Sequence, residues 1–323
     1  MSKMTYAEAI REAMRLKMKE DPNVFIFGED VGAFGGCFGV TGDLIKQFGE
    51  DRVRDTPISE GAIIGTAVGA AATGLKPIAE LMFIDFVTVG MDQLVNQAAK
   101  MRYMFGGKIA LPMVVRLPAG AGISAAAQHS QSLEAWLTHV PGLKVVYPST
   151  PQDAFGLMLS AIDDDNPVMF VEHKALYSYA DEVDLNAKPI PLGKADIKRT
   201  GKDLTIIATG KMVHEALAAA KTLEAEGMDI EVLDPRSLYP LDKKAIMDSV
   251  KKTNRVLIVT EEVKRGGYGG ELSAMIAEEA FESLDAPIVR IGALNTPIPF
   301  SPSLEEFVIP NALDIVNAIR KMK

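Results

Sequence analysis

Residues 55–86, with the sequence DTPISEGAIIGTAVGAAATGLKPIAELMFIDF, combine a carboxylate with a long run of small and β-branched residues. Ser59 is placed to cap a helix whose first turn carries Glu60. Glycines recur at every fourth position of this helix and share one of its faces: Gly61, Gly65 and Gly69. Because such a face lets a neighbouring backbone approach closely, the pattern predicts a buried helix that packs against another subunit.

The residues after this helix predict a short core strand and an aromatic cluster. Gly74 ends the helix, and residues 78–81 form a strand that precedes Phe83 and Phe86. Glu60 alone is ordinary for a first helical turn, where a carboxylate complements the helix dipole. Beside a buried helix, however, a carboxylate needs a proton or a hydrogen-bond partner, and such groups are often functional. Glu60 is therefore a catalytic candidate.

Strands and helices alternate along the whole chain. In the first half, the predicted helices are 6–20, 92–104 and 151–162, and the predicted strands are 24–27, 78–81, 113–117, 143–147 and 168–172. Thr5 and Glu8 have the spacing of a capping box before the first helix. In the second half, the predicted strands are 204–208, 229–233, 255–260 and 288–291, with helices at 213–226 and from 271. This alternation predicts α/β structure with parallel sheets and right-handed crossovers.

A polar stretch rich in Asp, Asn, Pro and Lys separates the two halves. Periodicity lapses from Tyr177 to about Arg199, as is typical of an interdomain linker. At 323 residues the chain also exceeds the usual size of one domain. The sequence therefore predicts domains at 1–186 and 201–323, joined by a linker at 187–200.

The composition argues against several functions and locations. A net charge of -9 argues against non-specific nucleic-acid binding. Cys37 is the only cysteine, so no intrachain disulfide can form. No apolar run is long enough for a membrane span, and with no signal segment at its start the chain is expected in the cytoplasm. Hydrophobic residues make up 48% of the chain, which favours partner subunits that cover apolar surface.

Three motifs resemble those of one family. They are residues 55–60 (DTPISE), Phe86 and residues 127–131 (AQHSQ). Over essentially its whole length, the chain resembles the beta subunit of thiamine-diphosphate-dependent 2-oxo acid and acetoin dehydrogenase complexes. The resemblance implies two doubly wound α/β domains, an N-terminal thiamine pyrimidine-binding domain and a C-terminal transketolase-like domain.

The resemblance also implies roles for five residues. Thiamine diphosphate needs an acid that protonates one pyrimidine nitrogen, and the cofactor itself supplies the difficult chemistry. By resemblance Glu60 is that acid, and Phe86 stacks on the aminopyrimidine. Ile58 and Met82 would line the same pocket, although ordinary core packing is the favoured interpretation of Met82. Glu29 resembles a second acidic residue near the cofactor, but an acidic loop residue after a strand is also common.

The metal and diphosphate half of such a site is missing from this sequence. The family holds Mg2+ and the diphosphate through a Gly-Asp-Gly motif, whereas the only Gly-Asp pair here, at 42–43, continues with leucine. The resemblance therefore implies an alpha subunit that supplies this half within an alpha2-beta2 heterotetramer. Ala161, Asp164 and Asn166 match positions at which related subunits hold a structural potassium ion, largely through main-chain oxygens. From the residues alone, 163–167 is a polar turn.

His129 lies in a segment of small and polar residues, 118–132. By composition alone a surface histidine is favoured, although such a loop can also face a cavity. The resemblance places His129 at the mouth of the active site, where it assists acyl transfer to lipoamide on an acyltransferase component. The remaining histidines have no spacing that suits a metal site and are interpreted as structural: His139, His173 and His214.

The substrate remains open between branches of the family. Segments 105–108, 172–174 and 190–196 look closest to acetoin dehydrogenases, whereas the short loop 32–36 departs from that branch. Pyruvate and branched-chain 2-oxo acids are the alternatives. Two other classes also remain: a doubly wound binding module such as an electron-transfer flavoprotein subunit, and a scaffold that only organises its alpha partner.

Overall fold

The computed structural model describes residues 1–322 and divides the chain into two compact units. The first unit contains Met1–Ala119 and Trp136–Leu192. The second contains Gly120–Ala135 and the chain from Gly193 onward. The step from Leu192 to Gly193 falls inside the linker proposed at 187–200. The sequence prediction places residues 120–135 within the first domain, 1–186, whereas they belong to the second unit.

The first unit is built on a parallel sheet. The strands of this part of the chain are β1 (Ser2–Thr5), β2 (Val24–Gly28), β3 (Val53–Asp55), β4 (Lys76–Glu80), β5 (Val114–Ala119), β6 (Lys144–Val146), β7 (Val168–His173) and β8 (Ala180–Val183). Neighbouring strands follow the order β6, β7, β5, β4, β2, β3, and each of these pairs is parallel. Strands β1 and β8 form a separate antiparallel pair. The predicted parallel sheet is confirmed.

The helices between these strands follow the predicted order. They are α1 (Tyr6–Glu20), α2 (Leu44–Phe48), α3 (Glu60–Ala72), α4 (Ala99–Met104), α5 (Glu134–Thr138) and α6 (Pro151–Asp163). The capping box of Thr5 and Glu8 is present at the start of α1. The helix predicted at 92–104 is present without interruption, but its segment Gln93–Ala98 is π-helical and only α4 is the α-helical part that follows. A side-chain hydrogen bond from Asn96 to Asp92 (2.7 Å) lies in this widened turn.

The second unit contains another sheet flanked by helices. Its strands are β9 (Asp196–Arg199), β10 (Leu204–Ala208), β11 (Ile230–Asp234), β12 (Ser237–Tyr239), β13 (Val256–Val263) and β14 (Val289–Ala293). Its helices are α7 (Met212–Glu224), α8 (Lys243–Thr253), α9 (Tyr268–Ala280), α10 (Pro302–Val308) and α11 (Ala312–Lys321). The strand order is β14, β13, β10, β11, β9, and β9 alone runs antiparallel to its neighbour. Ala121 contributes to the apolar core of this unit.

Helix α3 buries one face in the first unit and leaves part of its glycine face open. Ser59 occupies the N-cap position, but its side chain makes no capping hydrogen bond, so that prediction is wrong. Its ψ of 80° departs from the extended value usual at an N-cap. A Cβ at Gly65 would contact Gln93 at 3.5 Å, whereas a Cβ at Gly69 would meet no described atom within 4 Å beyond its neighbours and the backbone of its own helix. Packing of this open face against another subunit stays a prediction.

The polar stretch from 177 to 199 is not free of regular structure. Strand β8 pairs with β1 in the register Ser2↔Val183, and β9 pairs with β11. Local sequence patterns do not predict these short strands, because pairing with partners distant in sequence defines them. Across residues 1–322, none of the helices has the length and apolar character that a membrane crossing requires.

Candidate active site

Four of the sequence-predicted site residues lie at the carboxyl end of the sheet in the first unit. Glu29 directly follows β2, Met82 follows β4, Glu60 begins α3, and Phe86 lies in a 3-10 helix, Ile84–Gly90. Strands β2 and β4 pair directly, with Gly28 opposite Glu80, so the segments after them start side by side. Ligands of open α/β sheets bind in the crevice at this end of the strands.

Glu29 and Glu60 form the acidic part of this crevice. Both carboxylates are buried, with 6% and 8% of the residue surface exposed. Burial raises the pKa of the Glu29 carboxyl, and the nearby charge of Glu60 raises it further. Within residues 1–322, Oε1 of Glu29 is buried and has no hydrogen-bond partner. The crevice therefore holds a carboxyl group whose pKa is raised and which has hydrogen-bonding capacity to spare for a ligand.

Close backbone packing fixes the first turn of α3, which carries Glu60. A Cβ at Gly90 would lie 3.0 Å from Cγ1 of Ile64 and 3.4 Å from the Glu60 carbonyl oxygen. Glycine thus lets the end of the 3-10 helix approach this turn. Before the helix, the N–H of Thr56 donates to the carbonyl of Gly28 at 2.9 Å and ties the chain to the end of β2.

An aromatic pair lies at the start of the 3-10 helix that packs on the first turn of α3. Phe86 packs edge-on against Phe83, with ring centroids 6.1 Å apart and an interplanar angle of 86°. Phe83 is buried, whereas Phe86 is half-buried, so part of the Phe86 ring remains accessible to a ligand. Met82 is also half-buried. Ile58 is 82% exposed, so this chain alone does not enclose it.

A buried ionic network, which the sequence reasoning missed, underlies this end of the sheet. Arg116 on β5 donates to Glu172 through Nε and Nη2, each at 2.7 Å, and it also pairs with Glu80 on β4. The Tyr177 hydroxyl donates to Glu172 at 2.7 Å. Burial opposes the charge of Arg116, but the two carboxylates outweigh it and raise the pKa of the guanidinium. The network could have been suspected from the charged residues inside predicted core strands, because a buried charge requires a partner.

His129 lies in the second unit, on the segment Gly120–Ala135. The N–H of Gly120 donates to the Gln131 carbonyl at 3.1 Å, which closes the segment into a loop. His129 is half-buried, and its N–H donates to the carbonyl of Ala126 at 3.3 Å. Ser124 and Ala126 have positive φ values of 56° and 62°, a conformation that non-glycine residues rarely adopt. The surrounding contacts therefore have to hold this loop in shape.

Buried carboxylates surround this loop. Glu261, at the end of β13, accepts a hydrogen bond from the N–H of Ala121 at 2.6 Å, and Glu305 on α10 accepts from Gly122 and Ser124. Burial, followed by the charge of Glu262, raises the pKa of Glu134 well above its ordinary value. Burial likewise raises the pKa of Glu262, to about 7. None of these residues was identified from the sequence, because their partners are distant along the chain.

The residues matched to a potassium site lie at the end of α6. Asp164 Oδ1 accepts from the N–H and the side-chain amide of Asn166, both at 2.9 Å, and the Asp164 carboxylate pairs with Lys144. Ala161 lies in the last turns of the helix. Across residues 1–322, no group of three His, Cys, Asp or Glu side chains is arranged for a metal ion. The side-chain contacts alone account for this turn.

Both halves of the chain match models of known domain families. Residues 2–179 match the transketolase pyrimidine-binding domain, and residues 193–315 match the transketolase C-terminal domain. A solved structure of a split-gene transketolase, described as an inactive beta4 tetramer, matches with a TM-score of 0.81 at 23% identity, covering 99% of this chain and 98% of that chain. At this identity the likeness shows the fold alone. Two doubly wound α/β units are thereby confirmed.

Curated relatives match over almost the whole length. The beta subunit of acetoin:2,6-dichlorophenolindophenol oxidoreductase from Bacillus subtilis is 51% identical, over 97% of this chain and 95% of that protein. The beta subunit of 2-oxoisovalerate dehydrogenase from the same organism is 45% identical, over 100% of this chain and 99% of that protein. The family suggested by residues 55–60, Phe86 and 127–131 is thereby confirmed.

Proposed function

Because this chain belongs to the beta subunits of thiamine-diphosphate-dependent, transketolase-like dehydrogenases, we propose that it serves an acetoin dehydrogenase. In that reaction the bond between the carbonyl and carbinol carbons of acetoin breaks and acetaldehyde leaves. The remaining two-carbon unit is oxidised to acetyl as the lipoamide disulfide is reduced, and the acetyl group ends on one of its sulfurs. The higher identity to an acetoin enzyme, 51% against 45%, supports this choice.

One structural observation carries the assignment of the site. Two buried carboxylates, Glu29 and Glu60, lie at the same end of the sheet as the half-buried Phe86, whose 3-10 helix packs through Gly90 on the first turn of α3. An oxygen of Glu29 lacks a partner in the described chain. This arrangement fits the pyrimidine half of thiamine diphosphate, which needs a proton donor at a ring nitrogen and a flat apolar surface. When bound, the cofactor supplies the nucleophilic carbon and stabilises the negative charge left by bond cleavage.

The residues of this chain would divide the work as follows. Glu60 holds the proton at the pyrimidine nitrogen, and Glu29, whose pKa burial raises, supports the protonated state of the site. Phe86 packs on the ring, and Ile58 and Met82 exclude water from its edges. His129 exchanges a proton with the lipoyl sulfur, a general acid and base role that an imidazole often fills.

Partners would complete the half of the site that this chain lacks. We assign the diphosphate and Mg2+ to an alpha subunit, because the Gly-Asp pair at 42–43 is followed by leucine. The assembly would be an alpha2-beta2 heterotetramer in the cytoplasm, served by a lipoyl-bearing acyltransferase. Main-chain oxygens near Ala161, Asp164 and Asn166 would hold a potassium ion.

A 2-oxo acid dehydrogenase is the second candidate, because a 2-oxoisovalerate enzyme is also close at 45% identity. The test is co-expression with an alpha subunit, followed by assays of acetoin, pyruvate and branched-chain 2-oxo acids with dichlorophenolindophenol as electron acceptor. Acetoin should be the preferred substrate and should release acetaldehyde. Release of carbon dioxide from a 2-oxo acid, with acetoin inert, would move the assignment to the second candidate. A bound flavin without thiamine-dependent turnover would instead support an electron-transfer module.

A further inference from the structure

The carboxylate of Glu305 binds the backbone of the His129 loop at two points. Its Oε1 accepts from the N–H of Gly122 at 2.8 Å. Its Oε2 accepts from the N–H of Ser124 at 3.0 Å and from the Ser124 hydroxyl at 3.4 Å. Backbone N–H groups that converge on one point in this way can bind an anion, and here a carboxylate of the same unit occupies that point.

The loop needs such an anchor because its own backbone is strained. Gly122 and Ser124, the two residues that Glu305 binds, have φ values of 94° and 56°, and Ala126 follows at 62°. A non-glycine residue persists in this region only where surrounding contacts hold it there. Without the carboxylate, the N–H groups of Gly122 and Ser124 would turn to water and release the segment that leads to His129.

Glu305 itself is held rigidly. It lies in the middle of α10 and is 5% exposed. Its own N–H donates to the Ser301 carbonyl at 2.8 Å, and its carbonyl accepts from Ile309 at 3.1 Å. Val308 and Ile309 belong to the same apolar core as Ala121, at the base of the loop. The anchor and the base of the loop therefore share one packed body.

We infer that Glu305 is a positioning residue for His129, acting through the backbone of residues 122–126. The inference rests on the proposed role of His129 in acyl transfer. The carboxylate touches neither substrate nor cofactor in this account, and it sets only where the loop holds the imidazole. Its loss should therefore impair acylation of the lipoyl group and spare substrate cleavage.

The test compares Glu305→Gln with Glu306→Gln, each assembled with the alpha subunit. Glu306 is the neighbouring exposed residue of α10, so the second variant makes the same charge change without touching the loop. Glutamine in place of Glu305 keeps the side-chain volume but directs its amide N–H group at a backbone N–H group of the loop. Two donors cannot form a hydrogen bond, so one anchor point is lost. We expect faster hydrogen exchange at Gly122 and Ser124. Acylation of a lipoyl domain should fall roughly tenfold, with turnover by an artificial electron acceptor nearly unchanged.

Four outcomes decide the inference. The split between the two assays in Glu305→Gln, absent from Glu306→Gln, supports it. Equal losses in both assays together with a lower melting temperature would reduce Glu305 to a structural residue and overturn it. A His129→Ala variant measured alongside tests the proposed role of His129 separately from the positioning role of Glu305. If that variant loses acylation while Glu305→Gln does not, the positioning role is wrong and the proposed function stands. If His129→Ala is fully active, the role of His129 fails, and the inference with it.

Discussion

Glu60 is the residue on which the proposed chemistry depends most directly. We expect Glu60→Gln to keep the fold but lower turnover in the assembled enzyme by about a hundredfold or more, because an amide cannot exchange the required proton. The measurement is acetoin turnover with an artificial electron acceptor, and Glu50→Gln, at an exposed position, is the matched control. Retention of most of the activity would remove Glu60 from the mechanism.

His129 should separate the two half-reactions. We expect His129→Ala to lose acylation of a lipoyl domain far more than substrate cleavage, because its proton exchange concerns the lipoyl sulfur and not the carbonyl of the substrate. The two rates are measured on the same preparation, one with a lipoyl domain and one with an artificial acceptor. Equal losses would place His129 in substrate or cofactor binding, and unchanged rates would leave it structural.

Glu134 should make the stability of the second unit depend on pH. Burial raises its pKa in the folded protein, so between the ordinary value of 4.5 and the raised value the folded chain binds more protons than the unfolded chain. The contribution to the free energy of unfolding is therefore fully present below about pH 4.5 and declines as the pH rises. Glutamine at this position does not titrate and does not incur this loss.

The melting temperature of Glu134→Gln should consequently exceed that of the wild type at pH 8, and the difference should shrink toward pH 5. Thermal unfolding at both pH values measures it, and a gap of roughly 2 °C or more is expected at pH 8. Glu306→Gln serves as the control for a carboxylate lost from an exposed position. A difference that is constant with pH would show that Glu134 does not carry the effect.

The open glycine face of α3 leads us to expect opposite effects of one substitution on the stability of the isolated chain and on its assembly with a partner. A Cβ at Gly69 would meet no described atom within 4 Å beyond its neighbours and the backbone of its own helix, so Gly69→Ala should raise the stability of the isolated chain by about 0.5–1 kcal/mol. If this face packs against another subunit, the same methyl group should weaken assembly. Thermal unfolding of the chain and sedimentation of the complex measure the two effects.

Thr222→Ala on α7 is the control for this pair of measurements. Thr222 is exposed on a helix of the second unit, so alanine should favour that helix without touching the glycine face. If Gly69→Ala assembles as well as Thr222→Ala, the glycine face of α3 is not an interface.

The elements most accurately predicted are those with local end signals. The helix predicted at 6–20 occupies Tyr6–Glu20, because the capping box of Thr5 and Glu8 marks its start. The strand predicted at 204–208 occupies Leu204–Ala208. Strands β8 and β9 were missed because pairing with distant strands, not local periodicity, defines them.

The structure groups two of the site residues predicted from motifs, whereas the sequence reasoning passed over several buried charges. The segment 55–60 and Glu29 led to the carboxyl end of the sheet, and the structure groups Glu29 and Glu60 there. Arg116 was passed over because it stands alone in an apolar strand, and its partners Glu80 and Glu172 come from neighbouring strands. Glu305 could not be found locally, since 183 residues separate it from Gly122.

For the whole molecule, the incomplete site predicts that this chain alone does not bind thiamine diphosphate tightly. The described residues offer no cluster of ligands for Mg2+, and Ile58, two residues before Glu60, is 82% exposed. Titration calorimetry should detect no micromolar binding to the isolated chain and should detect tight binding after an alpha subunit is added. Micromolar affinity without a partner would contradict the half-site proposal.

The placement of Gly120–Ala135 in the second unit has a consequence for the order of synthesis. This segment leaves the ribosome well before its carboxylate partners, since Glu261 follows Ala121 by 140 residues and Glu305 follows Gly122 by 183. At ordinary translation speeds this delay is on the order of ten seconds or more. The first unit can therefore begin to fold while the histidine segment still lacks its anchors. A nascent chain that stalls before residue 305 would hold that segment unanchored, open to chaperones and proteases.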